Sequence, residues 1–304
     1  SLSSDGSVLA VGATMNDGTA TDAGHTRVYS WSGSAWNQLG GDLDGEAAGD
    51  SHGFSVSLSS DGHVLAVGAL MNDGTGDNAG HVRVYAWSGS SWSQRGGDID
   101  GELIYDHSGT SVSLSSDGSV VAIGAIWNFG AGDYPGHVRV YSWSGAAWVQ
   151  VGADIDGVDS LEQSGFSVSL SANGATVAIG AKSHYNYRGC VRVFSWNGVV
   201  WAQLGTDIEG ENVQDKSGTS VSLSSSGSIL AIGSTQYDGA NSNHEIGHVR
   251  VFSWNGVVWS RLGADIEGED MNDHSGWSVS LSASGNRLAV GAIYNDGGGL
   301  DSGH

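Results

Sequence analysis

Asp98, Asp100, Glu102 and Asp106 lie within one short stretch of the chain, "GGDIDGELIYDHSG". Carboxylates at this spacing around a glycine turn can ligate a hard cation such as Ca2+, act as a pair of catalytic acids, or be solvated connector residues. The stretch recurs as Asp42-Leu43-Asp44-Gly45-Glu46, Asp154-Ile155-Asp156-Gly157, Asp207-Ile208-Glu209-Gly210-Glu211 and Asp265-Ile266-Glu267-Gly268-Glu269. A further acid follows each copy: Asp50, Asp106, Glu162, Asp215 or Asp273. The apolar central position points to an anchor in a core, and Asp and Glu exchange between copies as a fixed ligand set would not tolerate. Two readings stay open. In one the first Asp of each connector pairs with an arginine. In the other Asp42, Asp44, Glu46, Asp98, Asp100, Glu102 and Asp106 bind Ca2+ weakly.

The arginines favour the pairing. Arg27, Arg83, Arg139, Arg192 and Arg250 each stand two residues before Tyr or Phe and four before Trp. In a strand this spacing puts guanidinium, aromatic ring and indole on one face. A half-buried arginine needs an acceptor, and a bidentate carboxylate is the preferred one. The expectation is a structural arginine–aspartate ladder. A ring of arginines reading an anionic ligand is the alternative, opposed by a net charge of −22.

Other recurring groups have bland readings. His25, His81, His137, His248 and His304 share one position, with Cys190 there in the fourth copy. Repetition spreads them apart rather than gathering them into a zinc site. Ten of the twelve tryptophans form five pairs flanking Ser-Gly or Asn-Gly turns, from Trp31/Trp36 to Trp254/Trp259. They read as packing between sheets, with stacking on sugars as the alternative. No G-x-S-x-G, H-E-x-x-H or phosphate-loop motif occurs. The fourth copy departs most: "KSHYNYRGC" brings Lys182, His184, Tyr185, Tyr187 and Arg188 to a basic, aromatic spot, the first place to look for a ligand site. The loop 236–245 is the second.

The elements that position these residues repeat. "SLSSDGSVLAVGA" at Ser1 returns at Ser57, Ser113, Ser169, Ser222 and Ser280, and "VRVYSWSG"-like segments lie between. Each unit of about 56 residues reads as four short strands with two-residue periodicity and Gly, Asp, Asn or Ser turns. Four antiparallel strands at this period predict an all-β propeller with five full blades and a half blade. The repeats run over about 1–54, 55–110, 111–166, 167–219, 220–277 and a partial 278–304. With 39% apolar residues the chain can build a core, and no apolar run is long enough for a membrane helix. Eleven Lys and Arg against 33 Asp and Glu argue against nucleic acid as a partner.

These residues resemble the FG-GAP repeat of integrin-α-type propellers. Gly53 with Ser55-Val56 resembles the "FG…SV" start, Val67–Ala69 the "VGAP" segment, and His81–Tyr85 the "G-x-V-x-V-Y" that follows. The Trp-containing copies look like repeats of large surface and secreted proteins of marine microbes. The resemblance implies a propeller in an extracellular setting. The family's calcium loop, D-x-D-x-D-G-x-x-D, falls on Ser57–Gly62 with Leu65 at its ninth position. Two aspartates are serines there and the closing acid is apolar, so the loop reads as a turn.

The expected function is therefore a non-catalytic, extracellular structural or adhesive protein, meeting a protein or glycan at the cell surface. Self-association through the open edge of the unfinished blade is expected, without membrane insertion. The alternative is a calcium-dependent carbohydrate- or protein-binding module.

Overall fold

A computed structural model of the chain describes residues 1–129, 133–237, 245–296 and 302–304. Its repeats form antiparallel sheets whose strands follow one another in sequence order. In the second sheet these are His52–Leu58, Val64–Ala69, His81–Trp87 and Trp92–Gln94. The chain is an all-β propeller-type fold of four-stranded antiparallel units, each about 56 residues long. It divides into two compact units, residues 1–130 with 136–155, and 131–135 with 156–304.

The acidic connector is a strand rather than a loop. Ile99–Asp100 pairs with His81–Trp87 on the same edge as Trp92–Gln94, with Val82 opposite Ile99. Gly96 and Gly97 bulge between the two pieces. Gly96 has φ +88°, and a Cβ on it would lie 2.8 Å from Trp143 and 3.1 Å from Trp148. The tryptophan pair of the third sheet thus rests on the glycine bulge of the second, and Trp148 Nε1–H donates to the Arg95 carbonyl at 2.7 Å. Trp92 does the same to Leu39 and Trp259 to Leu204. Within each pair the rings sit opposite in register, 5.4 Å apart for Trp87 and Trp92. The paired tryptophans are packing groups.

The core lies between consecutive sheets. Val64, Ala66, Val82, Val84 and Ile99 of the second sheet meet Leu114, Val121, Ile123 and Tyr141 of the third. Ala178, Val191, Val193 and Ile208 meet Val221, Leu223, Leu230, Ile232 and Phe252 in the other unit. Burying each such Val, Leu or Ile contributes about 1.5–3 kcal/mol. The alternating serines serve the same interface. Leu114 N–H donates to Ser57 Oγ, Leu223 N–H to Ser169 Oγ and Leu281 N–H to Ser222 Oγ, all near 3.0 Å.

The "SDG" turns are held by their own side chains. Asp117 accepts from Ser115 Oγ, Ser119 Oγ and Ser119 N–H at 2.7–2.9 Å. The first sheet carries Val8–Ala13, His25–Trp31 and Trp36–Gln38, and Leu2 bridges to Leu9. The last holds Ser275–Leu281 and Leu288–Ala292. His304 exchanges backbone hydrogen bonds with Ala292, as expected of a third strand beginning in the register His81 keeps to Ala69.

Backbone approach between sheets sets a testable constraint. A Cβ on Gly68 would lie 2.2 Å from the Gly109 carbonyl oxygen, whereas one on Gly89 at a hairpin tip meets nothing within 4 Å. Gly68→Ala should cost roughly 3 kcal/mol through overpacking against backbone. Gly89→Ala should cost only about 1–2 kcal/mol for its left-handed φ. Urea unfolding of the two variants should rank them so; equal costs would refute the close-approach account.

Candidate functional site

In four of the five connectors, the first Asp accepts hydrogen bonds from a Gln four residues earlier: Gln38, Gln94, Gln150 or Gln203. Arg83 Nε and Nη2 donate to the two oxygens of Asp98 at 3.0 Å, and Arg83 also pairs with Glu46 of the preceding connector. Arg27 binds Asp42 in the same bidentate way, at 3.0 and 2.8 Å. Hydrogen bonds from Arg27 and Gln38 pull the Asp42 carboxyl down to about 2. Arg139 donates to the Asp100 carbonyl at 2.6 Å and lies 3.6 Å from Glu102. In the fifth repeat Arg261 stands where the others have Gln and takes Asp265. Arg250 turns instead to the Glu209 carbonyl at 2.8 Å and to Ser217 Oγ at 3.2 Å. These arginines link one sheet's connector to the next.

The acid that closes each connector is buried. Asp106 accepts the N–H groups of Glu102 and Leu103 at 2.9 and 2.8 Å, and Asp50 those of Glu46 and Ala47. An asparagine from the following loop adds a third bond: Asn72 donates to Asp50 and Asn295 to Asp273. Asp44 lies opposite His25 in the strand register. The recurring histidines sit beside their connector Asp, with His81 Nδ1 3.8 Å from Asp98 and His25 Nδ1 3.7 Å from Asp42. Burial keeps His81 and His248 below the ordinary imidazole range, His248 at about 3.

Where the third connector meets the fourth copy's loop, this closing pair is rewritten. Glu162 stands in place of Asp and His184 in place of Asn, as the alignment of Asp50/Asn72 with Glu162/His184 shows. Glu162 is fully buried. His184 Nδ1 lies 2.8 Å from Glu162 Oε2 and 3.1 Å from Asp159 Oδ2. Arg192 grips Glu162 with Nη1 at 2.7 Å and Nη2 at 3.2 Å, and Asp207 with Nε at 2.8 Å. Val158 N–H adds a further donor to Glu162 Oε1. Burial works to raise the Glu162 carboxyl, but the bonds from His184 and Arg192 outweigh it and hold it low. The Glu162 bond raises the His184 imidazole above its ordinary value.

With its proton on Nδ1 facing two carboxylates, His184 keeps Nε2 as a base on the far side of the ring. A carboxylate that fixes the tautomer of a histidine is the arrangement general base catalysis uses. His184, Asp159 and Glu162 could also each offer one atom to a cation. Their 2.8 and 3.1 Å separations are hydrogen-bond distances, and Arg192 already supplies the positive charge. Cys190, in the histidine position, is buried, and burial pushes its thiol up.

The structure distributes the other residues singled out in "KSHYNYRGC". Arg188 is structural: it donates to the Gly210 carbonyl at 2.6 Å and pairs with Glu209 at 2.5 Å. Tyr185 and Tyr187 are exposed, and with Asn186 they hold three consecutive φ values of +45°, +62° and +56° in the order Tyr185, Tyr187, Asn186. Left-handed backbone at three non-glycine residues is strain of the kind that concentrates at functional sites. Lys182 folds inward, its ammonium 3.3 Å from the Phe166 ring centroid. Residues 238–244 of the loop named second lie outside the described residues. Sequence reasoning grouped Glu162 with the other closing acids and left Lys216 unremarked. The signal for Glu162 was the one Glu at a position held elsewhere by Asp.

No family model and no curated protein sequence matches the chain. Solved structures do. Hydrazine synthase of Kuenenia stuttgartiensis is 14% identical, with a TM-score of 0.61 over 96% of this chain and 72% of that one. The periplasmic gluconolactonase of Pseudomonas aeruginosa is 16% identical, with a TM-score of 0.59 over 97% and 78%. A 6-phosphogluconolactonase candidate of Bacteroides uniformis is 12% identical, with a TM-score of 0.60 over 97% and 80%. At these identities the likeness is one of fold. It corrects the expectation of a non-catalytic structural or adhesive protein. That expectation rested on the bland readings of the recurring groups and on the missing catalytic motifs, yet proteins named as enzymes share this fold over nearly the whole chain.

Proposed function

We propose that the chain is a hydrolase of cyclic esters, of the sugar-lactone kind, with His184 as its general base. The observation that carries the reading is the Glu162–His184 pair where three other copies place Asp–Asn (Asp50/Asn72, Asp106/Asn128, Asp273/Asn295) and the fifth Asp215/Tyr237, beside Asp159 and three strained residues. Support for the substrate class comes from the lactonase names borne by two proteins of like fold. His184 Nε2 takes a proton from water as the oxygen attacks the lactone carbonyl. The acyl C–O bond of the ring then breaks, and the imidazolium returns the proton to the departing alkoxide. Glu162, held by Arg192, keeps the imidazole oriented and balances its charge.

His184→Asn with Glu162→Asp rebuilds the Asp–Asn pair that three other copies fold with, and His184→Asn alone changes only the imidazole for the side chain found there, so both variants should stay folded. Each should lose about 100-fold or more of kcat for glucono-1,5-lactone hydrolysis, followed by acid release in a pH-stat. In the parent, kcat/KM should rise with pH through a value above the ordinary 6.5 of histidine, because the base works when neutral and Glu162 raises its pKa. A parent inert toward sugar lactones, or variants with full activity, would overturn the assignment.

The FG-GAP kinship and an exterior location also belong here. The first is supported by the strand motifs of every repeat. The second is supported by the periplasmic naming of the Pseudomonas protein, and no described helix is long and apolar enough to cross a membrane. For the connectors we propose that arginine, not Ca2+, is the resident cation. A calcium ion would have to displace Arg83 and Gln94 from Asp98, and two backbone donors from Asp106. A chelator should leave the melting temperature unchanged, while Arg83→Met should cost roughly 3 kcal/mol by stranding its acids. A fall in melting temperature on chelation would reverse this.

A further inference from the structure

The chain has two lysines, Lys182 and Lys216, and both line one pocket of about 150 Å³. Phe166, Thr219, Thr235, Gln236, His274 and Trp277 complete its wall, which among the described residues holds no carboxylate. From this placement we propose that the pocket binds a small anionic carbohydrate, its carboxylate or phosphate held between the two ammonium groups. The site is separate from the hydrolase reading, since none of the groups assigned to catalysis lines it.

The charge arrangement is the argument. In a chain of net charge −22, the arginines Arg27, Arg83, Arg188, Arg192 and Arg261 pair with carboxylates. Neither lysine has a carboxylate partner among the described residues. Lys182 lies on the Phe166 ring at 3.3 Å, and Lys216 lies 5.9 Å from the Tyr187 ring. Burial, with Lys216 as a neighbouring like charge, lowers the Lys182 ammonium to about 8. Two crowded cations in a partly desolvated recess are stabilised by an incoming anion, which removes the repulsion and supplies the missing acceptors.

The wall fits the rest of such a ligand. Trp277 is 48% exposed and offers an indole face to a sugar ring. The Thr219 and Thr235 hydroxyls lie 3.4 Å apart, and Gln236 adds a side-chain amide. His274 lies 2.9 Å from Glu245, which draws its ring into an ion pair at the edge of the wall. The charge belongs to this place in the chain and not to the repeat. At the positions equivalent to Lys182 and Lys216 in the preceding copy stand Ile126 and Gln163. Substitution toward those residues therefore tests the charge with side chains the fold already accepts.

Titration calorimetry should use gluconate, glucose 6-phosphate, inorganic phosphate and glucose as probes, with the intact chain and with Lys182→Ile and Lys216→Gln. Gluconate or glucose 6-phosphate should bind the parent, glucose should not, and each substitution should weaken binding about tenfold or more. Binding of gluconate but not glucose 6-phosphate assigns a carboxylate pocket, and the reverse a phosphate pocket. Binding of inorganic phosphate with equal strength would show that the sugar contributes nothing and overturn the carbohydrate part. Gluconate is already ring-opened and the His184→Asn variant should bind it as the parent does, so failure here is distinct from failure of hydrolysis. No binding of any anion, or binding indifferent to both substitutions, would overturn the proposal.

Discussion

The fold depends on how closely one sheet's backbone can approach the next. In four copies, at Gly12, Gly68, Gly180 and Gly233, the glycine of the "VGA", "IGA" or "IGS" segment sits under the carbonyl of the glycine near the start of the following sheet's first strand. A Cβ on Gly12, Gly180 or Gly233 would lie 1.9–2.2 Å from Gly53, Gly218 or Gly276. This contact sets the spacing at which valine, isoleucine and leucine from two sheets close a dry layer, as Leu65 and Val67 do at 0% exposure. It also brings serine hydroxyls into reach of the neighbouring strand's N–H groups. Loss of the side chain at one position thereby permits burial at many others.

Close approach also determines where charge can go. Arg83 and Arg192 emerge beside the connectors, where their own Asp and an acid of the preceding connector converge, while Arg139 and Arg250 reach the preceding connector's carbonyl. A carboxylate with two donors from one guanidinium, and a third from glutamine, is satisfied without solvent. The arrangement tolerates change only when partners change together. Arg261 in place of glutamine draws Asp265 to itself, and Arg250 falls back on a carbonyl and a serine. In the fourth repeat the longer Glu162 reaches both Arg192 and His184, so one carboxylate spans two jobs that separate groups share elsewhere.

The strands, their hairpins and the propeller architecture were legible because two-residue periodicity and turn glycines act locally and recur six times. The connector's strand was not, because two residues such as Ile99-Asp100 carry no period, and their pairing depends on a glycine bulge read only in three dimensions. The site was half legible. Lys182 and His184 stand out as breaks in a repeat. Glu162 hides because Asp and Glu look interchangeable until burial makes one methylene decide which partner is reached. Lys216 stands just before the next sheet's first strand, Ser217–Leu223, and only packing of successive sheets brings it to Lys182.

A repeat protein offers a control that a unique fold lacks, since each position has been solved several times within one chain. Where the solutions agree, as at the "VGA" glycine, the position answers to packing. Where one repeat departs and its departures touch each other, packing is an insufficient reason, because neighbouring repeats pack without them. Glu162 with His184 and Lys182 with Lys216 are two such departures, and each costs something: a buried ion pair must be desolvated, and two like charges must be crowded. A Asp–Asn pair or an isoleucine would avoid either cost at the same place. Stability alone does not ask for either feature and burial penalises both, and all four residues lie within the single stretch 159–216.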